Sequence, residues 1–254
     1  MPLHHESAFE TEICEYLAAN GWFYAEGDAA GYDRARALFP ADVIAWVQAS
    51  QPKAWDTLVK HHGAKAETVL LDRLQASLDA QGTLAVLRHG IELVGLREKL
   101  RLARFKPANA LNPDILADYQ GNRLRVVRQV RYSLHNGNCI DLVQFLNGIP
   151  VGTVELKTDF TQSVEDAVDQ YRFDRLPKPK GQTATEPLLS FPGGALVHFA
   201  VSNDEARMTT KLEGPATTFL PFNQGNAGGA GNPPSPLTPL PEGEGKTSGG
   251  HRPA

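Results

Sequence analysis

One stretch of the sequence, residues 138–157 (NCIDLVQFLNGIPVGTVELK), constrains the fold more than any other. Two apolar runs, Cys139–Leu146 and Ile149–Lys157, flank Asn147-Gly148, and an Asn-Gly pair between such runs is a strong signal for a β-hairpin. The run before them, Leu124–Ser133, has a period of two and ends near Asn136-Gly137. Its alternation predicts one face formed by Val126, Arg128, Val130 and Tyr132. The sequence therefore predicts a three-stranded antiparallel meander.

Charged residues interrupt the apolar pattern at the far end of the predicted hairpin. Asp141 lies on its first strand, and Glu155 and Lys157 lie on its second. Two carboxylates on neighbouring strands can hold Mg²⁺, which prefers oxygen ligands, and a lysine beside them can orient an attacking water and offset developing negative charge. The alternative is a structural ion pair with Lys157. Because charges between apolar strand residues are costly unless they are paired or used, we favour the metal site.

The register of the hairpin decides whether the two carboxylates meet. A strict two-residue turn at Asn147-Gly148 sets Asp141 across from Val154 and turns it away from Glu155. A three-residue loop ending at Ile149, or a β-bulge, shifts the register by one residue and brings the carboxylates opposite each other. We therefore predict an odd loop or a bulge near Ile149. A regular two-residue hairpin without a bulge would contradict the site.

A helix is predicted at the N-terminus, from Glu6 to Asn20. Its apolar residues recur at helical spacing and are Phe9, Ile13, Tyr16 and Leu17. Glu10 lies beside this stripe, so its carboxylate either bends out to water or is directed into a site within the fold. Trp22–Tyr24, after Gly21, is predicted to form a short buried strand.

Four segments between residues 28 and 119 have helical periodicity: Pro40–Gln48, Pro52–His62, Ala64–Ala80 and Leu84–Arg104. We interpret residues 28–119 as a helical insertion before the core sheet. After the meander, a capping-box-like sequence at Ser163 begins a helix that Pro177 ends. Gln170 lies at the edge of this helix, facing either the site or solvent. Ala195–Val201 is predicted to be a buried parallel strand with His198 as a core histidine.

Charge is distributed unevenly along the chain. The net charge is −4, yet nine cations and only three acids give residues 97–131 a charge of +6. This segment is either a solvated face or a surface for a phosphate backbone; its cations are Arg97, Lys99, Arg101, Arg104, Lys106, Arg123, Arg125, Arg128 and Arg131. No membrane span or signal peptide is evident. Two isolated cysteines favour a reducing cytoplasm and no disulfide framework.

The order of these elements resembles the PD-(D/E)XK nuclease superfamily: a helix with Glu, a strand with Asp, a Glu-x-Lys strand and a helix with Gln. More closely, several segments resemble the N-terminal nuclease domain of the type I restriction enzyme R subunit, over about residues 6–233. They are QGNRLRVVRQVRYS, IDLVQFLNGIPVGTVELK, EDAVDQYRFDR, MTTKLEGPATTFLPFNQG and GAGNP. The resemblance implies an α/β fold with a mixed sheet flanked by helices.

The resemblance also implies roles for particular residues. Mg²⁺ would be held by Asp141, Glu155 and Glu10, with Glu6 as the alternative to Glu10, and Lys157 would be catalytic. The Gln-x-x-x-Tyr motif of the family falls on Gln170, but Asp174 replaces its Tyr. Residues expected to contact DNA are Gln170, Tyr171, Arg125, Arg128 and Arg172. The implied partners are double-stranded DNA and the methylase and specificity subunits, with no membrane.

The family implies ATP-driven motor domains beyond the nuclease, and this chain has no ATP site, because Gly243–Thr247 lacks the first glycine and preceding strand of a phosphate loop. We expect a nuclease domain at residues 1–223, with its catalytic sheet core at 120–205, and a disordered Gly/Pro-rich tail at 224–254. The predicted function is a Mg²⁺-dependent DNA endonuclease domain, in a truncated form. The alternatives are a non-catalytic DNA- or subunit-docking remnant and a standalone repair or resolvase-type nuclease.

Overall fold

The computed structural model describes residues 3–108, 112–158 and 163–222; the side chains of residues 3–6, which include Glu6, and the 224–254 tail lie outside this description. The described helices are α1 (Leu3–Ala19), α2 (Pro40–Ser50), α3 (Pro52–His62), α4 (Ala66–Gln81), α5 (Thr83–His89), α6 (Pro113–Gln120) and α7 (Val164–Asp169). The described strands are β1 (Leu124–Arg131), β2 (Cys139–Leu146), β3 (Ile149–Leu156), β4 (Val197–Val201), β5 (Ala206–Thr209) and β6 (Leu220–Pro221).

The strands form a six-stranded mixed sheet in sequence order. β1, β2 and β3 are an antiparallel meander, β4 runs parallel to β3 after α7, and β5 and β6 continue antiparallel. The predicted mixed α/β sheet, its meander and its parallel fourth strand are therefore confirmed. Within the described part of the chain, no helix combines the length and the apolar character that a membrane span needs.

Helices pack against the sheet through separate apolar clusters. Cys14 of α1 packs in a cluster with Val126, Leu142 and Leu156, whereas Tyr16, predicted to belong to the buried stripe of α1, is 69% exposed. Helices α2–α5 share a second cluster that includes Ile149 of β3. The predicted insertion at residues 28–119 thus packs directly on the hairpin, and the division into domains stays a prediction.

Two predicted elements differ from the structure. The helix expected over Leu84–Arg104 ends at His89, because Gly90 has a φ of 72°, which is not helical. A Cβ at Gly90 would lie 2.3 Å from the Leu100 carbonyl oxygen, so the close approach of these two segments requires glycine. Residues after it instead form an extended bridge between Ile91 and Leu100, and α6 follows, which the sequence did not predict. Trp22–Tyr24 is also not a buried strand: Phe23 makes a single bridge to Arg125 and is 43% exposed.

The alternation along β1 breaks at Gln129, which has a left-handed φ of 50°. Val126 packs in the cluster on the α1 side, whereas Val130 and Tyr132 pack in the cluster that contains Val127. The prediction that Val130 and Tyr132 share a face with Val126 is therefore wrong, because a left-handed residue turns the following side chains to the other face of the strand.

The β2–β3 hairpin combines a two-residue turn with a bulge. Asn147 and Gly148 have φ values of 50° and 80°, and Phe145 pairs with Pro150 next to the turn. Beyond this point Gln144 pairs with Gly152, so one extra residue, Val151, lies in β3. The prediction of an odd loop or a bulge near Ile149 is confirmed: the structure has the bulge and does not have the three-residue loop.

Candidate active site

The bulge brings the two strand carboxylates together. Leu142 pairs with Val154, and the same register continued by one residue sets Asp141 across from Glu155. The backbone N–H of Leu156 donates a hydrogen bond of 2.8 Å to Oδ2 of Asp141. Without the extra residue in β3, Asp141 would lie opposite Val154. The bulge is therefore the local feature on which the candidate site depends.

Glu155 is 1% exposed and has a strongly perturbed environment. Burial raises its pKa well above the ordinary value of 4.5, and the nearby charge of Asp141 raises the pKa further. The guanidinium of Arg175 opposes both effects by donating from Nε to Oε1 of Glu155 over 2.6 Å. A buried carboxyl with a raised pKa beside a second carboxylate is typical of functional sites.

Lys157 lies two residues beyond Glu155, on the same face of the strand by alternation, and is 5% exposed. Its backbone N–H donates to the Val201 carbonyl over 2.9 Å, which extends the pairing of β3 with β4. The pKa of Asp166 at the start of α7 is lowered, first by hydrogen bonds from Ser163 and also by the charge of Lys157. The positive charge of Lys157 therefore acts on Asp166, at the N-terminus of α7.

Glu10 approaches the site from α1. It is buried, and burial raises its pKa, although hydrogen bonding to Arg128 opposes this. Arg128 Nη2 donates to Oε2 of Glu10 over 2.8 Å. Nε2 of Gln129 donates to Oε1 of Glu10 over 2.7 Å and to Oδ1 of Asp141 over 3.2 Å. One amide group thus connects Glu10 to Asp141, and Glu10 is held behind Gln129.

The three carboxylates differ in the charge of their hydrogen-bond partners. Arg128 pairs with Glu10, and Arg175 pairs with Glu155. Asp141 accepts hydrogen bonds from the neutral side-chain amide of Gln129 and from a backbone N–H, and its side-chain hydrogen bond with Glu155 helps to raise the pKa of Glu155. Together with Glu155, Asp141 also helps to raise the pKa of the Cys139 thiol to about 11, after the larger effect of burial. Among the described residues, the arginines at the site thus form ion pairs with Glu10 and Glu155 and not with Asp141.

Gln170 begins a π-helical turn, Gln170–Asp174, that directly follows α7. Such turns inside helices are frequent at functional sites. Oε1 of Gln170 is buried and has no hydrogen-bond partner among the described residues. A buried acceptor without a donor is costly, so this oxygen is available to a donor from outside the described residues.

Tyr171, expected to contact DNA, lies in the core instead. It is fully buried, and its hydroxyl is 2.8 Å from Thr153 Oγ1, which is itself 2.8 Å from Nδ1 of His198. Burial lowers the pKa of His198 to about 3, so the ring is neutral at physiological pH. The prediction that His198 is a satisfied core histidine is confirmed, whereas Tyr171 has no surface with which to contact DNA in this conformation.

The arginines expected to contact DNA are also engaged within the protein. Arg125 is 12% exposed and pairs with Asp42 over 2.6 Å and with Asp28, and Arg128 pairs with Glu10. Arg172 donates from Nε to the Thr217 carbonyl over 3.1 Å, and its side chain is 30% exposed. Arg172 therefore remains partly exposed, whereas Arg125 is largely occupied in holding β1 to α2.

Two residues that the sequence did not single out contact the site carboxylates: Gln129 and Arg175. The sequence around Gln129 does not indicate a left-handed backbone, because the residue that adopts this conformation within a strand is usually glycine. Arg175 follows Gln170 by five residues, and its backbone N–H donates to the Gln170 carbonyl over 2.8 Å. Its position could have been inferred only from the π-helical turn, which the sequence did not predict.

The side chains of the site include some of the ligands that a metal ion requires. Asp141 and Glu155 supply carboxylate oxygens, which are the ligand type that Mg²⁺ prefers. Groups of three or more His, Cys, Asp or Glu side chains arranged around one metal position are not found among the described residues. The residues therefore fit Mg²⁺ as two carboxylate ligands, with water completing the coordination as is usual for this ion; the prediction of Glu10 as a third ligand finds no support in the described residues.

Comparison with known proteins identifies the family. The family model of the type I restriction enzyme R protein N terminus matches residues 5–217. No curated protein matches the chain significantly. Because the family model covers most of the chain, from the first turn of α1 to beyond β5, the chain belongs to the family of type I restriction enzyme R protein N-terminal regions.

Proposed function

From this family membership we propose that the chain is a Mg²⁺-dependent nuclease region that hydrolyses phosphodiester bonds of double-stranded DNA. The observation that carries the proposal is the bulged register of β2 and β3, which sets Asp141 opposite the buried Glu155. A bulge costs regular pairing and is found preferentially next to active sites. A surface ion pair with Lys157 would require neither this register nor the burial of Glu155.

Each residue has a distinct role in the proposal. Asp141 and Glu155 hold the ion, and Glu10 keeps Asp141 in place through Gln129. Bound Mg²⁺ would polarise the phosphate and lower the pKa of an attacking water. Lys157 orients that water and offsets negative charge on the phosphate oxygens as it develops. The buried Oε1 of Gln170 has no donor among the described residues and would accept a hydrogen bond from a water molecule.

The raised pKa of Glu155 gives the proposal a pH dependence. The carboxyl must lose its proton to bind a cation, because only the carboxylate is a ligand. Its pKa is raised by burial and by Asp141, so protons compete with the metal above the ordinary range of a glutamic acid. Metal affinity therefore rises with pH until Glu155 is ionised in the free protein.

One observation favours a second candidate function, a non-catalytic module that docks DNA or other subunits of a restriction complex. Arg175 and Arg128 already neutralise two of the three carboxylates, and a permanently paired site needs no metal. In that case the chain binds DNA or the methylase and specificity subunits without cleaving. The two candidates differ in whether Mg²⁺ binds at Asp141 and Glu155.

The test combines nicking of supercoiled plasmid with calorimetric titration of Mg²⁺ into the full chain. The nuclease proposal expects Mg²⁺ binding and Mg²⁺-dependent nicking, both lost in Asp141→Ala, with nicking lost and binding largely kept in Lys157→Ala. Glu67→Ala, which removes an exposed carboxylate on α4, is the control and should match the wild type. DNA binding without Mg²⁺ binding would support the docking module, and nicking that persists in both site variants would refute the assignment. A preference for branched over linear DNA would indicate a standalone repair or resolvase-type nuclease.

A further inference from the structure

Six of the nine cations of residues 97–131 form two groups in the folded protein. Arg125 and Arg128, at 12% and 21% side-chain exposure, are paired with buried acids. These arginines stabilise the attachment of α1 and α2 to β1, and their charge is already offset. They cannot account for a positive surface, although they contribute to the positive count in the sequence.

The second group lies in the extended segment between α5 and α6. Its members are exposed and are Arg97, Lys99, Arg101 and Lys106. Lys99 lies 3.5 Å from Glu92, but both side chains are about half exposed or more, and such pairs contribute little. No carboxylate of the described residues forms an ion pair with the other three. Their charges therefore remain available to an outside partner.

The backbone that carries these cations is fixed to the helices. The side chain of Gln51 donates to the Arg101 carbonyl and accepts from the Arg101 N–H, both over 2.8 Å. Trp46 Nε1 donates to the same carbonyl over 3.0 Å, and the flanking residues Leu100 and Leu102 are buried. A rigid segment presents its cations at lower entropic cost than a mobile loop does.

A groove of about 700 Å³ runs between this segment and the N-terminal part of α3. Its lining includes three cations, Lys53, Arg97 and Lys99, and one acid, Glu98. We name it the basic groove. A lining rich in lysine is unlike the core of a protein–protein interface, where lysine is depleted. It resembles a surface that tracks a phosphate backbone.

The basic groove lies beyond the turn of the β2–β3 hairpin. Nδ2 of Asn147 in this turn donates to the Leu102 carbonyl over 2.9 Å, so the groove segment is attached to the turn. Asp141 is six residues from Asn147 along β2, which corresponds to about 20 Å at the rise of a β-strand. A duplex that extended along β2 from Asp141 to the hairpin turn, to which the groove segment is attached, would span about six base pairs.

We propose that the basic groove binds the sugar–phosphate backbone of duplex DNA away from the scissile phosphate. The inference rests on the proposed function for the identity of the ligand, and it adds a contact surface on α3 and on the segment before α6. Lys53, Arg97 and Lys99, the cations that line the groove, each neutralise a phosphate there, without reading sequence. The contact holds the duplex in place while its distant part lies over Asp141 and Glu155.

The experiment measures the salt dependence of duplex binding by fluorescence anisotropy, without Mg²⁺ and with Asp141→Ala as the background so that cleavage cannot interfere. The triple variant Lys53→Gln, Arg97→Gln and Lys99→Gln, which removes the three cations of the groove lining, is compared with its parent. Loss of three phosphate contacts lowers the slope of log K against log salt by about 2 to 3 and weakens binding on the order of 100-fold near 0.1 M salt.

The matched control removes the same net charge elsewhere, by Arg34→Gln, Lys65→Gln and Arg88→Gln, all at exposed positions. Its slope should remain close to that of the parent. An unchanged slope in the groove variant, or an equal loss of slope in the control, would overturn the proposal. The proposal would also be overturned if the groove variant bound DNA as its parent does and lost binding only to an acidic protein. Because this measurement needs no cleavage, it can fail while the nicking assay succeeds, and the reverse.

Discussion

Replacement of Gln129 by methionine tests whether one amide group positions the metal ligands. Methionine keeps the length of the side chain but removes the donor that contacts Glu10 at 2.7 Å and Asp141 at 3.2 Å. Residues that orient metal ligands typically change affinity by about 10- to 100-fold when they are replaced. The 3.2 Å contact to Asp141 is the longer one and Gln129 is exposed, so we expect the lower end, about 10-fold or about 1.4 kcal/mol.

The backbone at Gln129 allows the loss of the amide to be separated from a loss of stability. Its φ of 50° is a conformation that costs a non-glycine residue about 1 kcal/mol and costs glycine almost nothing. Gln129→Gly therefore removes the same amide while relieving this cost. We expect both variants to bind Mg²⁺ about 10-fold more weakly, and Gln129→Gly to be about 1 kcal/mol more stable than Gln129→Met.

Calorimetric titration with Mg²⁺ and urea denaturation without metal measure the two quantities. Gln48→Met, at an exposed position on α2, is the control and should leave both unchanged. Wild-type Mg²⁺ affinity in both Gln129 variants would refute the positioning role. If only Gln129→Met bound weakly, the methionine itself, rather than the lost amide, would be responsible.

Two further predictions concern Glu155 and the hairpin turn. Because the folded pKa of Glu155 lies well above 4.5, its contribution to stability is greatest below pH 4.5 and falls as the pH rises toward the folded pKa. Glu155→Gln should remove this pH-dependent loss of stability and abolish Mg²⁺ binding. A melting temperature that depends on pH as steeply in the variant as in the wild type would contradict the argument. At Gly148, with a φ of 80°, an added Cβ would lie 2.5 Å from the Phe39 carbonyl oxygen, so Gly148→Ala should destabilise the fold by about 2 kcal/mol or more in urea denaturation. Gly137→Ala, which meets no atom within 4 Å, should be nearly neutral, and equal effects of the two changes would contradict the close approach.

The register of the candidate site could be predicted from the sequence because the side chains of a strand have a fixed period of two. Side chains alternate strictly along a strand, so a two-residue turn and opposed carboxylates are incompatible unless one residue is added. The bulge at Val151 follows from that constraint. The end of α5 at His89 could also have been predicted, since Gly90 is a common helix-ending residue, but the apolar spacing beyond it continued to indicate a helix.

Charge partners that are distant in sequence could not be predicted. Arg125 and Arg128 belong to a positive segment by composition, but the acids that pair with them are Asp42 and Glu10, more than eighty residues earlier. The same is true of the left-handed backbone at Gln129, which depends on the packing of two faces of β1. The sequence therefore indicated how many cations there are, whereas only the fold distinguishes those that hold the protein together from those that remain on its surface.

The placement of the arginines bears on how a cation could enter the site. Three carboxylates close together repel one another, and such repulsion opposes folding in the absence of metal. Pairing Glu10 with Arg128 and Glu155 with Arg175 reduces this repulsion at both ends. Asp141, between them, is bound by neutral donors. Asp141 would therefore hold a divalent ion without releasing an arginine, whereas Glu155 would hold it only if its contact with Arg175 were adjusted; the Arg128–Glu10 pair would not need to change.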